Sequence, residues 1–105
     1  MNMKYSDVAR LKNLCEIKTN FPNADFWITR KGSEDTVGKP TKTYSPEAIG
    51  IKVTHTEILL PDYLFYWFQY IHSTGFFKNI AKGTLKLVHI TTDDVKNIPI
   101  AIKPD

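Results

Sequence analysis

Between Leu60 and Ile71 this chain commits itself to a helix whose inner face must be covered. Leu60, Leu64, Trp67, Phe68 and Ile71 recur at the three- and four-residue spacing of one helical stripe. Pro61 suits the first turn, where its missing N–H has no partner to lose. Tyr63, Tyr66 and Tyr70 gather on the other side, where a ring can pack while its hydroxyl reaches water or a partner. A stripe this aromatic requires a receiving sheet, and the remaining sequence has to supply one.

Strand patterns occur on both sides of the helix. Cys15 to Lys18 reads as a short extended piece, and Phe26 and Ile28 alternate with Trp27 and Thr29 in a strand expected to end at Arg30. Ile49, Ile51 and Val53 recur at period two, with Lys52 and Thr54 facing the other way. The segment Lys31 to Pro40 is rich in turn residues and is expected to be a loop or hairpin tip. Near the N-terminus, Ser6 is suited to cap a short helix carrying Val8, Leu11 and Cys15. After the main helix, Ser73-Thr74-Gly75 breaks the pattern; Phe76, Phe77, Ile80 and Ala81 restart it, and Gly83 is expected to stop it. Leu85, Leu87 and His89 alternate with Lys86, Val88 and Ile90 as a strand. Thr91 and Asp94 form a helix-start signature, and Ile98, Ile100 and Ile102 close the chain as a strand that Pro99 places at an edge. The expected fold is α+β: a single small domain over residues 1–105 with a mixed, mainly antiparallel sheet and one dominant aromatic helix.

Composition restricts the function classes. At 105 residues the chain suits one domain with a real core, and a 42% hydrophobic and 24% charged content is that of an ordinary globular protein. No apolar run approaches a bilayer-crossing length and Met1 to Asp7 lacks the apolar stretch of a secretory signal, so the expected location is cytoplasmic, with no membrane partner. Cys15 is the sole cysteine, which rules out an internal disulfide and favours a buried hydrophobe. The net charge of +3 permits a polyanionic partner without requiring one. Its distribution is more specific. From Tyr63 to Thr92 there is no Asp or Glu while Lys78, Lys82 and Lys86 are present; Thr36 to Pro46 is also free of acid and carries Lys39 and Lys42, just after Arg30 and Lys31.

Catalytic patterns are missing. His55, His72 and His89 are far apart in sequence and form no H-x-x-x-H or H-x-H pair. Gly38-Lys39 is followed by Pro40 rather than Ser or Thr, which denies a phosphate-binding loop a backbone donor. Of the paired carboxylates, Asp93-Asp94 fits helix-start chemistry and Glu34-Asp35 a solvated loop tip. There is no Pro-Pro pair of the kind that methyltransferase motifs use to hold an extruded base. No catalytic residue, metal ligand or cofactor is assigned.

The order of motifs carries a resemblance. An L-P-x-Y-L-x-Y-W helix (Leu60 to Trp67), the Gly83-Thr84 turn and the closing I-x-x-x-D-V-x-N-I-P-I segment (Ile90 to Ile100) resemble the target recognition domain of type I restriction-modification specificity subunits. Leu11 to Lys18 is similar to the lead-in of those domains, and Phe26 to Ser33 with Val37-Gly38-Lys39 to their R-K-G-S-x-G-K stretch. Asn20-Phe21-Pro22 departs from the glycine usual in the lead-in, and Glu34-Asp35-Thr36 adds acid to the loop.

The resemblance implies a module that reads double-stranded DNA and carries no chemistry of its own. Its DNA-contacting residues would be Arg30 and Lys31 at a strand end, Ser33, Lys39, Thr41 and Lys42 on the following loop, and Lys78, Lys82, Thr84 and Lys86 across the helix-to-strand turn. Lysines would supply phosphate contacts and Arg30 a bidentate base contact. Specificity subunits also dock methyltransferase subunits through long helices; with none after Asp105, the expectation is a compact, free-standing version of one domain, as a phage or mobile element encodes. The competing reading is a protein-interaction module that mimics a specificity subunit and inhibits or redirects host restriction or another host complex, with Tyr63, Tyr66 and Tyr70 as its interface.

Overall fold

A computed structural model describes residues 8–84 and 86–101 of the chain. Its centre is a four-stranded antiparallel sheet of β2 (Cys15–Thr19), β6 (Ile49–Val53), β3 (Phe26–Ile28) and β5 (Pro40–Thr41), in the order β2-β6-β3-β5. Register explains why β6 holds the middle. Ile51 pairs with Ile17 on one side and Phe26 on the other, and Ile49 pairs with Ile28, so the period-two residues of three strands form continuous buried rows. Lys52 and Thr54 are exposed, as expected.

The aromatic helix α1 (Pro61–Ser73) lies on this surface. Leu64 and Phe68 are fully buried; the Phe68 ring meets Phe26 edge-on at 5.4 Å and stacks on Phe77 of α2 (Phe76–Ile80) at 5.9 Å and 19°. The stripe is narrower than the spacing suggests. Trp67 and Ile71 are half-buried on its flanks, and Leu60 is 64% exposed because it is the N-cap residue, with extended backbone outside the helical spiral. Gly75 opens α2 in the left-handed conformation, and Ala81, not Gly83, ends that helix by turning extended.

Both faces of β3 are covered, so the alternation seen in its sequence does not separate core from solvent. Trp27, opposite Phe26, is 7% exposed, and its indole Nε1 donates to the Phe21 carbonyl at 2.8 Å. Gly50 pairs with Trp27 and passes beneath Phe21, where an added Cβ would come within 2.8 Å of the Phe21 Cβ. β3 ends at Ile28, short of Arg30, because Thr29 bonds the returning loop: its N–H donates to Lys39 O and its carbonyl accepts from Gly38 N.

Two smaller antiparallel sheets complete an α+β fold, in place of the single sheet expected from the pattern. β1 (Val8–Arg10) pairs with β9 (Pro99–Ala101), which is an edge pairing as Pro99 required. The helix expected over Val8 to Cys15 is therefore replaced by a strand, a 3-10 turn at Leu11–Asn13 and β2; the Leu11 N–H donates to Ile98 O, and Val8 is 55% exposed. Long-range pairing overrides the local helical spacing here. Ser6 and Ile102 lie outside the described residues. The third sheet, in the order β4-β8-β7, joins β4 (Lys31–Gly32), β8 (Val88–His89) and β7 (Lys82–Gly83). α3 (Thr92–Lys96) begins with the capping box read from the sequence: Thr91 Oγ1 accepts from Asp94 N, and Asp94 Oδ2 accepts from Thr91 N. Among the described residues no helix is long and apolar enough to cross a membrane.

Candidate nucleic-acid interface

The β4-β8-β7 sheet joins the two basic segments that the sequence keeps apart. Lys31 and Lys82 are both directly opposite His89 in register, and Gly32 and Gly83 are both opposite Val88. Directly opposed residues share a face of the sheet, so Val88, 6% exposed, marks the inner face and the row Lys31, His89, Lys82 marks the outer one. All three side chains of that row are exposed. Lys82 Nζ lies 4.0 Å from Asp94 Oδ1, a loose pair on the surface of the kind that contributes little.

Arg30 precedes β4 and is tied to this sheet through its backbone, because Ile90 N donates to its carbonyl at 2.9 Å. Its side chain is half-buried, with Nε donating to the Glu47 carbonyl at 2.9 Å. Among the described residues the Nη groups make no hydrogen bond, and Arg30 lines two open clefts, one with Thr41, Thr43 and Ser45 and the other with Thr19, Thr91 and Thr92. A guanidinium fixed through Nε keeps its outer Nη edge available for a bidentate acceptor.

The other residues singled out from the sequence fall into different settings. Lys86 is exposed in the turn between β7 and β8. Thr84 closes that turn: its N–H donates to Leu87 O at 3.0 Å and its Oγ1 accepts from Leu87 N at 3.3 Å. Leu87 is thereby taken out of the strand, 53% exposed, and β8 starts only at Val88, with Val88 and Ile90 buried; Leu85 lies outside the described residues. The Ser33 hydroxyl is engaged with Thr36, and Thr41 Oγ1 accepts from Thr43 N. Lys39 is exposed beside Thr29. Lys42 is drawn to the start of α1, with Nζ 3.6 Å from Asp62 Oδ1 and 4.6 Å from the Phe65 ring centroid. Lys78 borders a cleft with Glu34, Asp35 and His72, where His72 Nε2 lies 2.8 Å from Asp35 O. The structure thus brings together Arg30, Lys31, Lys82 and the turn carrying Lys86, and leaves Lys42 and Lys78 elsewhere. His89, absent from the sequence-based set, occupies the middle of the row; only the register of β8 with its neighbour β7 and with the distant β4 could have found it.

Tyr63, Tyr66 and Tyr70 are 58%, 65% and 64% exposed along the outer side of α1, as their spacing predicts. Cys15 is buried in β2, and its thiol is pushed up to about 12, first by burial and then by the nearby Asp25 carboxylate, so it is not a thiolate at neutral pH. Among the described residues no group of three or more His, Cys, Asp or Glu side chains is arranged to hold a metal ion.

Comparison with known proteins yields a likeness of fold. No protein-family model and no curated sequence matches the chain. The structure is similar to the crystal structure of the S subunit of a type I restriction-modification system from M. genitalium, with a TM-score of 0.67 at 11% sequence identity. The alignment covers 96% of this chain, which spans 36% of that subunit. At that identity the likeness establishes the fold: this chain has the architecture found in a type I restriction-modification S subunit.

Proposed function

We propose that this protein is a non-catalytic module that binds double-stranded DNA in the manner of a target recognition domain, and that the β4-β8-β7 face with Arg30 is its contact surface. The observation that carries this reading is the cross-strand row Lys31, His89, Lys82, on a fold shared with a type I S subunit. Exposed lysines on a short twisted sheet suit phosphate oxygens, which fix a protein's position on a duplex without reading sequence. Arg30, oriented through the Glu47 carbonyl, is suited to the paired acceptors of guanine in the major groove. Lys86 extends the cationic surface along the β7–β8 turn, whereas Lys42, paired with Asp62, and Lys78, in a cleft shared with Glu34 and Asp35, contribute less. A cytoplasmic location follows from this reading.

The test is fluorescence anisotropy with a labelled random-sequence duplex over a range of salt. Binding that weakens with a log–log slope of about −0.9 for each phosphate contacted supports the proposal. Retention that is insensitive to salt, or no binding in dilute buffer, contradicts it. Arg30→Ala is expected to lose about 1 to 3 kcal/mol on a preferred site, with little loss on other duplexes.

A further inference from the structure

We propose that His89 is itself a phosphate-contacting residue of this face, and that it makes its contact as the imidazolium, so that duplex binding takes up a proton. This rests on the DNA reading and deepens it with a residue and a pH dependence. His89 is exposed and directly opposite both Lys31 and Lys82, and the Cβ atoms of directly opposed residues lie about 4.5 to 5.5 Å apart. A phosphate backbone lying across Lys31 and Lys82 therefore passes over His89 as well. In the free protein the neighbouring charges are Lys31 on β4, Lys82 on β7 with its Asp94 partner on α3, and Lys86 on the adjoining turn. A phosphate bound across that row offers an acceptor to the imidazolium N–H. Binding then favours the charged ring, and by linkage affinity is higher at pH 6 than at pH 8.

The experiment is anisotropy with a random-sequence duplex at pH 6 and pH 8 across salt, on the intact chain and on His89→Gln and His89→Lys, with thermal unfolding to check that each variant folds. The unsubstituted protein is expected to bind more tightly at pH 6, with a salt slope steeper by up to about 0.9 than at pH 8. His89→Gln should show the shallower slope at both pH values and His89→Lys the steeper one at both. A His89→Gln protein that keeps the full pH dependence overturns the assignment and leaves DNA binding standing, as does an unsubstituted protein whose slope is the same at both pH values. Failure of the unsubstituted protein to bind at either pH overturns the DNA reading, and this assignment with it.

Discussion

Phe68→Ala is expected to be the most damaging single truncation on α1. The ring is fully buried, edge-on to Phe26 at 5.4 Å and to Trp67 at 5.5 Å, and stacked on Phe77 at 5.9 Å, so it joins the central sheet to both helices. A buried Phe covers roughly 150 to 250 Å², about 4 to 6 kcal/mol at about 25 cal/mol per Å². Allowing for the methyl that remains and for partial collapse, the loss should be about 3 to 5 kcal/mol, from a total stability of about 5 to 15 for a domain of this size. At about 4 °C or more per kcal/mol, the melting temperature should fall by at least about 12 °C, which circular dichroism can follow. Trp67→Ala, removing a half-buried ring, should fall by clearly less. Equal losses, or a larger loss at Trp67, would refute the placement of the stripe.

Gly38→Ala should destabilise by several kcal/mol, because φ is +82° and the new Cβ would stand 2.2 Å from the Phe77 ring; an unchanged chemical denaturation midpoint would show that the loop does not dock there. Stability should decline above about pH 9, because the unfolded thiol of Cys15 releases its proton there while the folded one holds it to about 12. The slope is at most about 1.4 kcal/mol per pH unit in that window, and Cys15→Ala in urea titrations should be flatter over the same range. Thr91→Ala should cost about 1 kcal/mol by leaving the Asp94 N–H without its cap, measurable as a shifted urea midpoint with unchanged m.

What the sequence reveals and what it hides divides along the range of the interactions. The α1 helix, β6, the Thr91–Asp94 capping box and the Gly75 break are legible because spacing, a proline at the first turn or a side-chain cap determines them within a few residues. Val8 to Cys15 misleads because helical spacing there competes with a strand partner at Pro99–Ala101, near the other end of the described chain. Leu87 misleads because a tight turn at Thr84 takes it out of the following strand. The basic segments are visible as acid-free stretches, yet which lysines share a face depends on pairing across β4, β8 and β7. That pairing unites Lys31 with Lys82 and adds His89, while α1 draws Lys42 away to Asp62.

Whether the β4-β8-β7 face meets DNA is decided by the salt dependence of duplex binding by the Lys31→Ala/Lys82→Ala double variant. Lys18→Ala serves as the control, because Lys18 is an exposed lysine paired with Glu16 on the central sheet. The double variant should bind every duplex more weakly and lose up to about 1.8 from the magnitude of the log–log slope, about 0.9 for each phosphate contact removed, while Lys18→Ala keeps the original slope. A double variant with an unchanged slope, or a Lys18→Ala protein that loses as much, would place the DNA contact elsewhere than this face.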